Sequence, residues 1–212
     1  MIERRWIALG SLFATVLLTT GAGINSSIRV ADGEIVGRSL STVNGTVRIG
    51  DGATVQGEVE SVNGSIHIGR DASIESVSTV NGSLDIGEGS VIEGAVESVN
   101  GGVSLADGSR AARVATVNGS IELSGATVEG DVSTYNAGIQ LTDHSTIKGD
   151  IVVHEADFGW NKRRRTLRIE LEDGSTVMGS VIVEDEGRDV EVVLRDDSRV
   201  EGEVRGAKIV RE

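Results

Sequence analysis

The stretch VNGSLDIGEGSVIEGAVES, residues 80–98, decides the fold. Polar and apolar residues alternate over 83–86, glycines at positions 87 and 89 indicate a turn, an apolar pair follows at 91–92, and Gly94 indicates a further corner. Alternation with a period of two is typical of a strand that buries one face. We therefore expect three short strands per unit, with Leu84, Ile86 and Val96 pointing into a core.

This unit recurs at a nearly constant interval. Val-Asn-Gly stands at 43–45, 62–64, 80–82, 99–101 and 117–119, and Tyr-Asn-Ala follows at 135–137, so that successive asparagines are 19, 18, 19, 18 and 18 residues apart. A fixed period of this size indicates a solenoid, in which each coil buries its inner face only with its neighbours. The sequence predicts an all-β parallel β-helix with 18 or 19 residues per coil and strands stacked about 4.8 Å apart. The inward positions of the first and fifth copies are expected at Val47, Ile49, Val59, Ile121, Leu123 and Val132.

The asparagines of the repeat are expected to stack at one corner of the solenoid. Asn-Gly is a turn signal, because Asn tolerates positive φ and Gly adopts it freely. Equivalent asparagines one coil apart can also hydrogen-bond to each other in a ladder. The alternatives are a binding stripe of amides, or glycosylation at the Asn-Gly-Ser/Thr sequons; the turn preference favours a structural corner. The candidates are Asn44, Asn63, Asn81, Asn100, Asn118 and Asn136.

Coil length and corner spacing give opposing indications of whether the β-helix is left-handed or right-handed. Eighteen residues equal three hexapeptides, which is typical of left-handed β-helices, and residues 49–54 resemble such a hexad. The 19-residue steps, and a Val-Asn-Gly corner that recurs once per coil rather than once per hexad, favour a right-handed helix.

Composition and charge narrow the classes of function. The chain has 29 Gly, no Pro, no Cys and 2% aromatic residues, so its apolar content is almost entirely Val, Ile, Leu and Ala. The absence of cysteine excludes disulfides and thiolate metal sites. A formal net charge of -13 opposes contact with nucleic acid and with anionic membrane surfaces. It leaves basic partners and divalent cations open.

The N-terminus resembles a secretory signal peptide. Residues 1–5 are mildly basic, residues 6–20 are apolar, and small residues stand at 21–22. As a helix the apolar stretch would span about 22 Å, short of the roughly 30 Å hydrocarbon core. We expect a cleaved signal over 1–22, export to the periplasm or cell surface, and no stable membrane insertion afterwards. The alternatives are an uncleaved anchor or a misassigned start.

The remaining chain, 23–212, is expected to be one β-helix domain in three parts. Repeat coils cover 23–153, with a degenerate first coil at 28–40; an inserted loop covers 154–166; divergent coils cover 167–212. The loop is a candidate recognition element for an acidic partner or for the body of a neighbouring copy. Alternatively, its aromatic residues cover the open end of the coil stack, since exposed edges need covering. Its candidate residues are Phe158, Trp160, Lys162, Arg163, Arg164 and Arg165.

Catalytic and metal-binding patterns are weak. The histidines, at 67, 144 and 154, lack the spacing of a metal-binding pair, and His67 is expected to face outward on a strand. Acidic residues recur near one corner, where stacked carboxylates can bind calcium or act as paired acids. Turn formation and solubility explain them as well. They are Asp51, Asp71, Glu88 and Asp107. We therefore predict no catalytic residues, no cofactor and no metal site.

Two bacterial families share features of these repeats. Residues 50–59 (GDGATVQGEV) and 174–181 (GSTVMGSV) resemble the bactofilins, which are polymer-forming proteins with a right-handed β-helix. The Ser/Thr-Val-Asn-Gly-Ser repeats resemble the β-helical putative adhesins of bacterial envelopes. Bactofilins typically lack a cleavable leader, so the leader favours the adhesin-like group.

The expected function is non-enzymatic. The candidates are an envelope scaffold, an adhesin-like surface or a polymer-forming module. Expected partners are further copies of the chain, end to end, or an envelope protein or polysaccharide. The alternative is a carbohydrate-binding or carbohydrate-active β-helix, which needs Tyr135, Phe158 and Trp160 together on one open face.

Overall fold

The computed structural model describes residues 25–155 and 166–212, and within these ranges all regular structure is β-strand. The strands stack in parallel into a β-solenoid of about nine turns, which confirms the predicted fold class. Each turn contributes one strand position to each of three faces. The handedness of the coil stays a prediction.

The first face is a single sheet of ten strands, one from each coil. They are β1 Ile28–Val30, β4 Val47–Ile49, β6 Ile66–Ile68, β8 Leu84–Ile86, β10 Val103–Leu105, β12 Ile121–Ser124, β15 Ile139–Thr142, β18 Leu167–Leu171, β21 Val190–Leu194 and β24 Lys208–Arg211.

The second and third faces form one larger sheet, because four long strands run continuously across the corner between them. These are β5 Thr54–Asn63, β7 Ser73–Asn81, β9 Val91–Asn100 and β11 Arg110–Asn118. The other strands of the second face are β2 Ile35–Val36, β13 Thr127–Val128, β16 Thr146–Ile147, β19 Thr176–Val177 and β22 Arg199–Val200. Those of the third face are β3 Leu40–Thr42, β14 Val132–Thr134, β17 Ile151–Val153, β20 Val181–Val183 and β23 Val204–Arg205.

The 18- and 19-residue steps of the sequence reappear as strand register. Val47 pairs with Ile66, Ile66 with Leu84, and Leu84 with Val103, each one coil further along. The long strands absorb the extra residue at their corner, where the pairing shifts, for example between Val55 and Glu58. The inward columns therefore stay aligned although the coils differ in length.

The core consists of these inward columns. Leu84 and Val96 are fully buried and Ile86 is almost so, as the alternation predicted. Thin layers of branched aliphatic side chains suit the pleated inner surface, because Val and Ile lose little freedom in strands. The described core contains only Val, Ile, Leu and Ala among its apolar residues.

A column of buried hydroxyl groups lies inside the asparagine corner. It comprises Thr42, Ser61, Thr79, Ser98, Thr116 and Thr134. Thr42 Oγ1 donates to Ser26 O at 2.8 Å, and Thr79 Oγ1 donates to Gly64 O at 3.1 Å. These bonds satisfy the carbonyl groups of Ser26 and Gly64. The hydroxyl of Ser98, by contrast, has no hydrogen-bond partner among the described residues.

The corner glycines are required by close stacking, and only Gly119 among them also has a positive φ, at 150°. A Cβ at Gly101 would lie 1.9 Å from Gly82 O, and one at Gly64 would lie 2.0 Å from Gly45 O. Among the described asparagines only Asn25 has positive φ, at 63°. The turn explanation given for Asn-Gly is therefore wrong, although the corner itself lies where the repeat places it.

The strands of the C-terminal segment stack on the same first face of the solenoid. Ile139 pairs with Ile169, Ile169 with Val192, and Val192 with Ile209. The first two steps span 30 and 23 residues, which is longer than the 18 or 19 residues of the repeat. The inward register survives both insertions.

Gly101 and Gly102 provide a matched test of the stacking constraint. We expect Gly101→Ala to destabilise the protein by about 2 kcal/mol or more, because its Cβ meets a backbone carbonyl that cannot move away alone. The Cβ of Gly102→Ala would lie 3.4 Å from Ser120 Oγ and 3.6 Å from Ser120 O, which are ordinary contacts, so this variant is expected to change stability little. Urea unfolding followed by circular dichroism measures both; equal losses would contradict the explanation.

Candidate functional site: the outer surface of the solenoid

The asparagine corner is a continuous ladder of side-chain amides. In each rung Nδ2 donates to Oδ1 of the preceding coil: Asn63 to Asn44 at 2.9 Å, and Asn100 to Asn81 at 3.0 Å. The remaining rungs join Asn25, Asn44, Asn63, Asn81, Asn100, Asn118 and Asn136. The ladder therefore has all six predicted asparagines plus Asn25, which the sequence pattern missed because Ser26 follows it.

Arg188 ends this ladder. Its Nη1 donates to Asn136 Oδ1 at 2.7 Å and to Tyr135 O at 2.8 Å. Arg188 lies in the connection between β20 and β21, where Gly187 N donates to Asp185 Oδ1 at 3.2 Å. The guanidinium thus takes the place of the next amide donor. Sequence patterns gave no signal for this contact, because 52 residues separate the two side chains.

The side-chain amides of the ladder use their hydrogen-bonding groups on each other, along the solenoid axis. Each inner rung both donates and accepts between coils, so these side chains already serve the corner. The binding stripe and the glycosylation of sequons stay predictions.

An outward apolar column runs beside the ladder on the third face. Its members are the half-buried valines of the repeat: Val43, Val62, Val80, Val99 and Val117. In the following coils Tyr135 and His154 continue the column, with ring centroids 5.0 Å apart at 39°. His154 Nδ1 lies 2.8 Å from Glu184 Oε2. A shallow depression opens here, lined by Ala115, Val117, Ser133, Tyr135 and His154 among others.

The inserted loop begins at this point of the surface. Phe158, Trp160 and the basic residues 162–165 lie outside the described residues, as does the predicted signal over 1–22. The recognition and end-covering roles of the loop stay predictions. The carbohydrate alternative likewise stays a prediction, since Tyr135 is the only one of its three aromatic residues within the described ranges.

Glu60 is an acidic residue on the valine-lined third face. Partial burial raises the pKa of its carboxyl group, and the neighbouring charge of Glu58 raises it further. The charged form of Glu60 is therefore less favourable in the folded protein than in the unfolded chain.

His67 faces outward from β6 on the first face, as predicted. Its Nδ1 lies 2.7 Å from Asp85 Oδ2 in the next coil, and both side chains are nearly half exposed. Ser83 Oγ also donates to Asp85 Oδ2, at 3.3 Å. This is an exposed ion pair on an open, flat face, of the kind that contributes little stability.

The four acidic candidates do not form one column. Asp51, Glu88 and Asp107 occupy equivalent turn positions, but Asp71 occupies the next one, with φ 53°. Asp71 thus takes the left-handed position held by Gly89 in the following coil. All four lie near the same corner, as the sequence indicated, but only three of them share one position of the coil. Within residues 25–155 and 166–212, no group of three or more His, Asp or Glu side chains is placed to hold a metal ion.

Two further findings concern the chain as a whole. In the part of the chain that the structure describes, no helix has the length and hydropathy required to cross a membrane. No protein-family model, no curated protein and no solved structure matches the sequence or the fold.

Replacing Arg188 tests the end of the ladder. We expect Arg188→Met to lower the free energy of unfolding by roughly 2 kcal/mol, because two hydrogen bonds from a charged donor are lost. Thermal unfolding measures this. The control is Arg70→Met, an exposed arginine in a turn, which is expected to leave the melting temperature nearly unchanged. Equal effects of the two substitutions would show that the contacts of Arg188 do not specifically stabilise the end of the ladder.

The raised pKa of Glu60 predicts that its replacement by glutamine increases stability in a pH-dependent way. A raised folded pKa means that stability present below the unfolded pKa is lost as the pH rises through the folded pKa. We therefore expect Glu60→Gln to be more stable than the parent at pH 7, with a difference that shrinks towards about pH 4. Urea titrations at both pH values measure it. Glu75→Gln, on the second face, is the control; a gain that does not depend on pH would exclude this cause.

Proposed function

We propose that the protein is a non-enzymatic, exported scaffold of the bacterial envelope, which presents flat repetitive faces and assembles end to end. The observation that carries the proposal is the open C-terminal end of the solenoid. Here three edge strands, one on each face, have a strand neighbour on one side only, and each contributes an apolar residue, Val200, Val204 or Ile209.

The exposed end shows interior positions without a covering coil. Ile209 lies in the inward column of Val192 and Ile169, which are fully buried, yet it is 46% exposed. Val200 and Val204 on the other two faces are half-buried. Unpaired strand edges of this kind accept further strands from another chain. A second solenoid stacked on this end would bury all three side chains.

The faces themselves favour presentation over catalysis. In the described ranges the strands connect through short turns, and the one notable protrusion lies beside the depression at Tyr135 and His154. A surface built from repeated short turns lacks the long loops that usually carry binding clefts and catalytic residues. This supports a scaffold, an adhesin-like surface or a polymer-forming module.

The charge of the body supports a basic partner in the envelope. The whole chain has 33 acidic and 20 basic residues, and two acidic and six basic residues lie outside the described ranges. The described solenoid therefore carries a formal charge of -17, from 31 acidic and 14 basic residues. A surface this acidic attracts cationic proteins or polymers and repels nucleic acid.

Ile209 provides the test of end-to-end assembly. For the full chain, purified after expression, we expect concentration-dependent end-to-end assemblies in light scattering and negative-stain microscopy. Ile209→Lys is expected to abolish them, because a charge would be buried at the junction. Met178→Lys is the control, since Met178 is 48% exposed but lies on the second face away from the end.

Two results would contradict the proposal. A monodisperse monomer at all concentrations would exclude end-to-end assembly and leave a surface-presenting module. Recovery of the protein in the cytoplasmic fraction of the expressing cells, rather than in the periplasm or at the surface, would exclude export.

A further inference from the structure

The first face carries a gradient of charge along the solenoid. Its central outward positions are linked by strand register and follow the order Arg29, Arg48, His67, Asp85, Ser104 and Glu122. The cationic residues occupy the N-terminal coils, and the acidic residues occupy the coils that follow. The face is therefore dipolar along the axis.

The charges at the two ends of this gradient are not neutralised within the described chain. Arg29 and Arg48 pair directly across adjacent strands, and no acidic side chain in residues 25–155 or 166–212 lies within ion-pair distance of either. Glu122 accepts a hydrogen bond from Ser120 Oγ at 2.8 Å and has no cationic partner in the same ranges. Like charges directly opposite each other in a sheet are destabilising.

In the C-terminal coils, the charged side chains of the first face form ion pairs with each other. Arg168 lies 3.7 Å from Glu170 and 3.5 Å from Glu191, so its guanidinium is shared between two carboxylates. The C-terminal coils thus neutralise themselves, whereas the N-terminal coils do not. An external partner of complementary charge would neutralise the N-terminal coils in the same way.

The column beside the charges has small side chains. It runs through Ser65, Ser83, Gly102 and Ser120, at equivalent positions of successive coils. The hydroxyl oxygens of Ser65 and Ser83, in successive coils, lie 3.2 Å apart, within hydrogen-bonding distance. A flat surface lets a second flat surface approach closely enough for side chains to pair across it.

An antiparallel second copy fits the gradient. A two-fold axis perpendicular to the solenoid, between the coils of His67 and Asp85, places His67 opposite Asp85 of the second copy. Arg48 then faces Ser104, and Arg29 faces Glu122, because each step from the axis is one coil of about 4.8 Å in both directions. No like charges meet, and the contact closes on itself as two-fold contacts do.

We propose that the first face is a docking surface for a second copy of the chain in antiparallel orientation. This adds lateral pairing to the proposed scaffold, and it does not depend on end-to-end stacking. The strip covers six coils, about 29 Å long and about 10 Å wide. That is below the area of stable interfaces, so the pairing is weak and electrostatic. It weakens as salt screens the charges.

Charge reversal gives a sharp test. The experiment uses the full chain carrying Ile209→Lys, so that end-to-end assembly does not interfere, in sedimentation equilibrium at about 20 mM and about 500 mM salt. We expect dimers at low salt that dissociate at high salt. Arg29→Glu and Glu122→Arg are each expected to weaken dimerisation about tenfold or more, since each sets like charges opposite each other.

The double variant separates this contact from other effects. Arg29→Glu with Glu122→Arg restores both opposite-charge pairs of a two-fold contact, so dimerisation is expected to return. Arg110→Glu, on the second face, is the control and is expected to change nothing. Arg29→Glu also removes the repulsion with Arg48, so loss of folding does not explain its effect, and thermal unfolding checks this.

Three outcomes would overturn the proposal. They are a monomer at every concentration in low salt, a double variant no better than the single ones, and a monomer whose arginines instead bind an added polyanion. The proposed scaffold function is tested by other measurements, namely the end-to-end assembly of the parent chain and its cellular location. A failure of the lateral dimer can therefore be distinguished from a failure of the scaffold proposal.

Discussion

The distance of about 4.8 Å between stacked parallel strands is the constraint on which this structure depends. It requires every position of a coil to tolerate an equivalent residue directly above and below it. Gly101 meets the requirement by lacking a side chain where Gly82 O passes. Asn100 meets it because an amide both donates and accepts, so that identical side chains bond in a row. Val96 meets it because branched aliphatic side chains pack in layers.

The same constraint explains what the sequence predicted. Since stacking repeats one environment, it repeats one residue pattern, and the inward positions at Leu84, Ile86 and Val96 follow from alternation alone. The ladder could also be predicted, because six of its seven asparagines recur at the interval of the repeat. What the pattern missed are positions where the repeat is incomplete. Asn25 has no glycine after it, and Asp71 replaces glycine in a left-handed turn.

Arg188 shows the limit of periodic reasoning about the surface. It comes from a protrusion that follows no repeat, and it reaches back across a coil to Asn136. Only the folded path of the chain brings the two together. The charge gradient on the first face is intermediate in how far the sequence predicts it. Its residues are visible in the sequence, but register is required to place Arg29 beside Arg48 and to align them with Glu122.

Stacking also makes like charges neighbours, and one column of the third face avoids this. Glu60 and Glu97 alternate with Ser41 and Ser78 along one column of the third face. Arg195 lies between Glu172 and Glu212, and its hydrogen bonds to both carboxylates raise the pKa of the guanidinium. Like charges nevertheless stack directly at Arg29 and Arg48 on the first face, and at Glu88 and Asp107 in the turn that follows it.

The C-terminal end combines two opposing features. Ile209 exposes an apolar interior position, but Arg211 stands two residues later in the inward register of Leu194 and Leu171. A charge at an inward edge position is a common device against uncontrolled strand addition. A coil stacked on this end must therefore leave Arg211 accessible to water or supply it with a carboxylate. Such a junction forms between chains in a limited range of orientations. The proposed end-to-end growth would then be selective for correctly aligned copies, whereas the proposed lateral pairing through the first face would leave Arg211 unburied.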